Sequence, residues 1–218
     1  MSTLVIFARA PVLGAVKRRL ARTVGEAAAL ALHEAFLDDT CLMTQGLGAR
    51  RVLAIDGDLE LPAIARLCKS HRMTLVPQGD GDAGARMARA VAAEVGRGPV
   101  VIIGADAPTL PRPYLHQALD GLMEHDVVIG PADDGGYYLI GARLALPELF
   151  ADVPWTTPAV LPTTLARLAG RSHLVLPGWY DVDEAADLER LRAELATLPA
   201  SVAPATRRVL GGVLGSPP

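Results

Sequence analysis

The chain is predicted to be an α/β protein of three layers, with helices on both faces of a mostly parallel central sheet. Three observations carry this. Short apolar runs alternate along the chain with longer Ala- and Leu-rich stretches of helical spacing, the pattern of repeated βαβ units. One run, Val100-Val101-Ile102-Ile103-Gly104-Ala105-Asp106-Ala107-Pro108, reads as a buried strand that stops at an acidic residue and a turn. The alternation then breaks after Val127, where two strand-like runs follow one another across a Gly-rich turn. We therefore expect an antiparallel element after about residue 130.

Residues 3–7 open as a strand. Residues 26–44 carry helical apolar spacing at Leu30, Phe36 and Leu37, with alanines throughout that favour helix. Strand 51–55, helix 59–70, strand 73–76, helix 83–95 and strand 100–103 follow. Pro111 and Pro113 suit the first turn of a helix over 112–124. Strands at 127–129 and 137–140 flank the Gly135-Gly136 turn. A helix at 157–168, a strand at 174–176 and a helix at 184–195 complete the pattern. No interdomain linker or internal repeat interrupts it, so residues 1–198 read as a single domain. From Pro199 onward Pro, Gly, Ala and Val dominate, and we expect 199–218 to be a weakly ordered tail.

The bulk numbers exclude several classes. With 218 residues, half of them hydrophobic, the chain can bury a real core and is not disordered. A net charge of −3 and a pI near 5.9 argue against wholesale binding to nucleic acid or an anionic membrane. No apolar run approaches the roughly 18 residues of a membrane span. Cys41 and Cys68 lack metal-ligand spacing, and the chain enters its first strand without a signal-like segment. The expectation is a reduced, cytoplasmic setting.

Five segments carry chemistry. In Phe7-Ala8-Arg9-Ala10-Pro11-Val12-Leu13-Gly14-Ala15-Val16-Lys17-Arg18-Arg19 a strand ends, a loop turns and a basic cluster opens a helix. Backbone amides there attract anions, and Lys17 and Arg19 add mobile and planar donors for phosphate oxygens. A solvated basic turn would read the same way. Gly79-Asp80-Gly81-Asp82-Ala83-Gly84 matches a dinucleotide fingerprint, with Asp106 beyond the next strand. The NAD reading is set aside for three reasons. A complete βα unit with its own basic loop precedes the motif, Asp80 and Asp82 put negative charge in the turn, and Asp106 is followed by Ala-Pro.

Asp106, at the carboxyl end of its strand, is placed to hold a divalent cation that in turn holds phosphates. Asp133-Asp134-Gly135-Gly136 lets backbone come close to a ligand, and it is equally a hairpin signal. Asp181 and Asp183 alternate on an extended segment and share a face. We expect Asp181 to turn to the ligand and Asp183 to cap the last helix, with Glu184 and Asp187 in its first turn. The five histidines are scattered and read as surface or packing residues.

Taken in order, these segments with Trp155-Thr156-Thr157 resemble the bacterial glycosyltransferase-like proteins linked with arsenosugar biosynthesis, in the nucleotide-diphospho-sugar transferase superfamily. They are similar also to guanylyltransferases that make molybdenum cofactor dinucleotides. The resemblance implies a Rossmann-like GT-A-type fold with a nucleotide half and an acceptor half. On that likeness Ala8, Arg9, Pro11, Gly14, Lys17 and Arg19 contact the nucleotide, and Gln78, Gly79, Gly84 and Arg86 lie near its base and ribose. Asp106 with Asp181 or Asp183 would bind Mg²⁺ or Mn²⁺. Asp134, Gly135, Gly136, Tyr137 and Trp155 would face the sugar or acceptor, and Asp134 and Lys17 would be catalytic. The implied activity is sugar transfer from a nucleoside diphosphate sugar to a small-molecule acceptor. The alternatives are nucleotidyl transfer from a nucleoside triphosphate to a phosphorylated acceptor, and non-catalytic nucleotide-sugar binding. The last is motivated by alanines at 105 and 107, where the family usually has a polar residue and a serine. A homodimer is compatible with the sequence.

Overall fold

The computed structural model describes residues 1–213. Seven strands form one sheet: β1 (Thr3–Arg9), β2 (Arg50–Asp56), β3 (Thr74–Pro77), β4 (Val100–Gly104), β5 (Val127–Pro131), β6 (Tyr137–Ala142) and β7 (His173–Val175). Their order is β3-β2-β1-β4-β6-β5-β7. β1 pairs in parallel with β2 and β4, β2 with β3, and β5 with β7. β6 alone runs against its neighbours β4 and β5. This is the expected antiparallel element, made by the hairpin that folds β6 back between β4 and β5.

The helices are α1 (Arg18–Val24), α2 (Glu26–Met43), α3 (Pro62–His71), α4 (Ala83–Glu94), α5 (Arg112–Gly121), α6 (Pro147–Phe150), α7 (Val160–Arg167), α8 (Ala185–Thr197) and α9 (Pro204–Val213). Strand side chains alternate between the two faces of the sheet. Leu4, Ile6, Val101 and Ile103 pack with Leu37 and Cys41 of α2, Ile64 of α3 and Leu115 of α5. Val5, Val52, Val100 and Ile102 pack on the other face with Met87 and Val91 of α4 and with Leu149 and Phe150 of α6. Both faces are therefore covered, as a mostly parallel sheet requires. Among the described residues no helix is long and apolar enough to cross a membrane.

The expected weak tail is corrected over residues 204–213. They form α9, whose Leu210 joins Leu20 of α1, Phe36 of α2 and Leu191 of α8 in a third apolar cluster. Residues 214–218 of the predicted tail lie outside the described residues. Composition hid this helix because its anchor is remote. Asp39 of α2, only 2% exposed, accepts hydrogen bonds from the backbone amides of Ala205 (2.9 Å) and Thr206 (2.8 Å). A carboxylate from another helix thus satisfies the first-turn amides that the local sequence leaves open. Asp39→Ala is expected to lower stability by about 1–2 kcal/mol. The urea midpoint should fall with an unchanged slope. An unmoved midpoint would show that α9 is held by its apolar contacts alone.

Strand order reverses at β1: β2 and β3 follow it on one side, while β4 and the later strands lie on the other. Ligands in open α/β sheets bind beyond the carboxyl ends of strands at such a switch point. The turns that follow β1, β2, β4 and β5 all open on this edge.

Candidate functional site

Lys17 is the hub of the edge. It follows β1, caps the amino end of α1 and holds φ 46°, ψ 43°, a left-handed conformation uncommon for a residue with a side chain. Its ammonium contacts Asp106 Oδ1 at 2.7 Å and Asp183 Oδ1 at 2.9 Å, and donates to Val182 O at 2.8 Å. The side chain is 3% exposed, whereas those of Asp106 and Asp183 are 40% and 36% exposed. Burial opposes the charge on Lys17, but the two carboxylates outweigh it and raise its pKa. The side chain that the sequence offers as a mobile phosphate donor is held between two acids in this structure.

The second correction concerns Asp183. It does not cap α8; Glu184 does, in a reciprocal capping box with Asp187. Asp183 is drawn away by Lys17 and by Arg19, whose guanidinium lies 2.6 Å from its Oδ2. These cations overcome the effect of burial and lower the Asp183 pKa. Asp181 has no ion-pair or hydrogen-bond partner among the described residues. Burial pushes its carboxyl up to about 7, with the charges of Asp106, Asp183 and Asp134 adding to the rise and Lys17 opposing it.

That rise has a sign that can be tested. Folded Asp181 keeps its proton after the unfolded chain has released it at the ordinary 3.8. Its contribution to stability therefore falls as pH rises from about 4 to about 7 and stays lost above. Asp181→Asn, melted with a chelator present, is expected to raise Tm more at pH 8 than at pH 5. An equal shift at both values would contradict the assignment.

The 181–183 segment is fixed against β4 by a hydrogen bond from Val182 N to Asp106 O at 2.9 Å. Behind it, Glu194 of α8 accepts from Thr109 Oγ1 at 2.7 Å and from Tyr180 Oη. Helix α8 is thereby tied to the turn that carries Asp106.

Two clefts meet at this cluster. The first, of about 750 Å³, is lined by Ala8, Arg9, Lys17, Arg19, Gln78, Arg86 and Asp106, all singled out from the sequence. Phe7, Arg18, His33, Asp56 and Asp82 also line it. The second, of about 740 Å³, is lined by Asp134, Gly136, Tyr137, Trp155, Asp181 and Asp183. Arg19, Trp155, Thr156 and Asp183 border both. The Trp155 and Tyr137 rings meet edge to face at 6.3 Å. Asp134 Oδ1 accepts from Gly136 N at 2.8 Å, which fixes the turn between β5 and β6.

Five of the named residues, Pro11, Gly14, Gly79, Gly84 and Gly135, line neither cleft. Gly135 sits at φ 90°, and a Cβ there would lie 2.5 Å from the Pro158 backbone. Gln78 lines the first cleft, but its amide group is used within the sheet, donating to Ala8 O and Ala54 O at 3.0 Å each. In the fingerprint turn, Asp82 caps α4 by accepting from Ala85 N.

Sequence reasoning left Asp56 out of the cleft and read His33 as a surface or packing residue, and His33 is indeed packed. Asp56 ends β2 as Asp106 follows β4, and it pairs with Arg86 Nη1 at 2.7 Å. The strand-then-acid rule used for Asp106 would have found it. His33 lies on the buried face of α2 with Ala29 and Phe36, bonded through Nε2 to Arg9 O at 3.0 Å. Burial lowers its pKa.

Among the described residues no group of three or more His, Cys, Asp or Glu side chains is arranged to hold a metal ion. Oxygens of Asp106 and Asp183 are instead turned to the Lys17 ammonium. The donor chemistry therefore fits a hard divalent cation, which takes one or two carboxylates together with phosphate oxygens.

A candidate nucleotide-diphospho-sugar transferase from Desulfovibrio desulfuricans G20 has the same architecture. It is 30% identical with a TM-score of 0.87, over 98% of this chain and 96% of its own. A cytidylyltransferase from Leptospira borgpetersenii is 14% identical, with a TM-score of 0.61 over 96% of this chain and 93% of its own. Glucosyl-3-phosphoglycerate synthase from Mycobacterium tuberculosis, solved with Mn²⁺ and UDP-glucose, is 13% identical. Its TM-score is 0.55 over 92% of this chain and 78% of its own. The last two likenesses are of fold alone. No curated protein matches the chain. Residues 40–157 match the model of the family described as "Uncharacterized protein conserved in bacteria (DUF2064)", and the chain belongs to that family.

Proposed function

We propose that the protein is a transferase that moves a sugar from a nucleoside diphosphate sugar to a small-molecule acceptor, with Mg²⁺ or Mn²⁺. The observation that carries this reading is the cation-and-carboxylate cluster at the junction of two clefts, each large enough for one substrate. The 30% identical relative, described as a candidate nucleotide-diphospho-sugar transferase, supports it.

In this reading the first cleft takes the nucleotide. Arg86, fixed by Asp56, and Gln78 shape the floor beneath base and ribose, with Ala8 and Arg9 alongside. Arg18 and Arg19 face the phosphates. Asp106, Asp181 and Asp183 would hold the cation, which when bound neutralises charge on the diphosphate. The second cleft takes the sugar and acceptor against Tyr137 and Trp155. Asp134 accepts the proton of the acceptor hydroxyl as its oxygen bonds to the anomeric carbon and the carbon–diphosphate bond breaks.

A second reading, nucleotidyl transfer to a phosphorylated acceptor, is favoured by one feature. Arg9, Lys17, Arg18 and Arg19 all border the first cleft, and a triphosphate carries more charge than a diphosphate ester. Thermal shift against nucleotide sugars and nucleoside triphosphates, with and without Mn²⁺, comes first. A ligand at 100 times its Kd adds about 2.7 kcal/mol of stability. Product analysis follows with the ligand that binds. A Mn²⁺-dependent shift with one nucleotide sugar, lost in Asp106→Ala and followed by nucleoside diphosphate release, is the expected result. Pyrophosphate release from a triphosphate would replace it with the second reading. Binding without turnover across a broad acceptor panel would leave a nucleotide-sugar binding protein.

A further inference from the structure

We infer that Lys17 is a tethered cation that fills the Asp106–Asp183 site in the free protein. A divalent cation then enters only when phosphate oxygens draw the ammonium away. The inference rests on the reading of these carboxylates as the cation site. The ammonium donates to Asp183 Oδ1 at 2.9 Å and Val182 O at 2.8 Å and makes an ion-pair contact with Asp106 Oδ1 at 2.7 Å, an oxygen that is buried and has no hydrogen-bond donor among the described residues. The Phe36 ring lies 5.7 Å from the nitrogen. Lysine ammonium is strongly hydrated in water, and here protein oxygens have replaced that shell. The left-handed backbone at residue 17 is a conformation that persists only where surroundings over-determine it, and these contacts do so.

The site is closed on the lysine side and open on the acid side. Asp106 and Asp183 keep more than a third of their side-chain surface exposed, so a phosphate-bearing ligand can reach the cluster along the first cleft. A divalent ion on the same carboxylate oxygens would sit against the ammonium, and the like charges exclude one another. Arg19, already on Asp183 Oδ2, adds to that exclusion. Phosphate oxygens offer Lys17 an alternative partner and the cation additional ligands. Nucleotide and divalent cation should therefore bind with positive coupling.

The test measures Mn²⁺ binding by electron paramagnetic resonance of the free ion, with no nucleotide, for wild type and Lys17→Gln. If lysine-displaced molecules are a tenth of the population or fewer, the variant binds Mn²⁺ about tenfold tighter or more. Equal affinities would overturn the inference. So would no binding to either protein, because the carboxylates would then be no cation site. Wild type with a nucleoside diphosphate is expected to gain Mn²⁺ affinity; a diphosphate that binds without that gain overturns the displacement. If no nucleotide binds at all, the proposed function fails while the nucleotide-free comparison still decides the role of Lys17.

A second measurement needs no variant. The chain has two lysines, Lys17 and the exposed Lys69, so amine acylation read by mass spectrometry carries its own standard. Lys69 should react and Lys17 stay protected, both in the free protein and with Mn²⁺ alone. Exposure of Lys17 by Mn²⁺ alone would show that the ion displaces it unaided and would sink the inference.

Discussion

Gly84→Ala is expected to destabilise the protein by about 2–3 kcal/mol and to spoil ligand binding together with stability. Two effects oppose each other at this position. Gly84 lies in the first turn of α4, and alanine there should gain up to about 1 kcal/mol of helix propensity. But an added Cβ would meet the Phe150 carbonyl oxygen at 2.3 Å and the Trp155 ring at 2.7 Å. A backbone oxygen cannot swing aside as a flexible side chain can, so the clash wins. The segment it displaces carries Trp155 and Thr156, which border both clefts. Denaturant unfolding and nucleotide thermal shift measure the two losses. A variant of unchanged or higher stability would mean that the loop at 150–156 yields freely, and its part in shaping the clefts would lapse.

Lys17→Met is expected to reduce turnover by roughly 10²–10³-fold, the range for removing one charge-stabilising donor from an active site. Its stability loss should be smaller than burial of Lys17 alone implies. Breaking a fully buried pair costs about 3–5 kcal/mol, because the partner charge is left without water. Here the partners Asp106 and Asp183 are more than a third exposed and can rehydrate. The methionine also keeps an apolar stem beside Phe36. We therefore expect a loss of about 1–2 kcal/mol, nearer to an exposed pair. Turnover within a factor of a few of wild type would remove Lys17 from the chemistry.

The fold class, the succession of most strands and helices, and the strand-end position of Asp106 were all legible in the amino-acid sequence. These follow from local rules. Apolar runs such as Val100–Gly104 bury on two faces wherever they lie, and an acid after a strand falls on the ligand-binding edge of the sheet. The hairpin at Gly135-Gly136 was legible for the same reason, since turn chemistry is written in adjacent residues. Ion pairing and close packing are not. Asp183 has the sequence context of a helix cap, and it became an ion-pair partner because Lys17 and Arg19 arrive from more than 160 positions away. Gly84 sits in a phosphate-loop pattern, but its Cβ-free surface is used by Phe150 and Trp155. Asp39 gives no local sign that it completes α9. In each case a short-range polar or steric contact decided the role, and such contacts act over a few ångströms of space irrespective of separation along the chain. Only the tertiary structure brings those residues together.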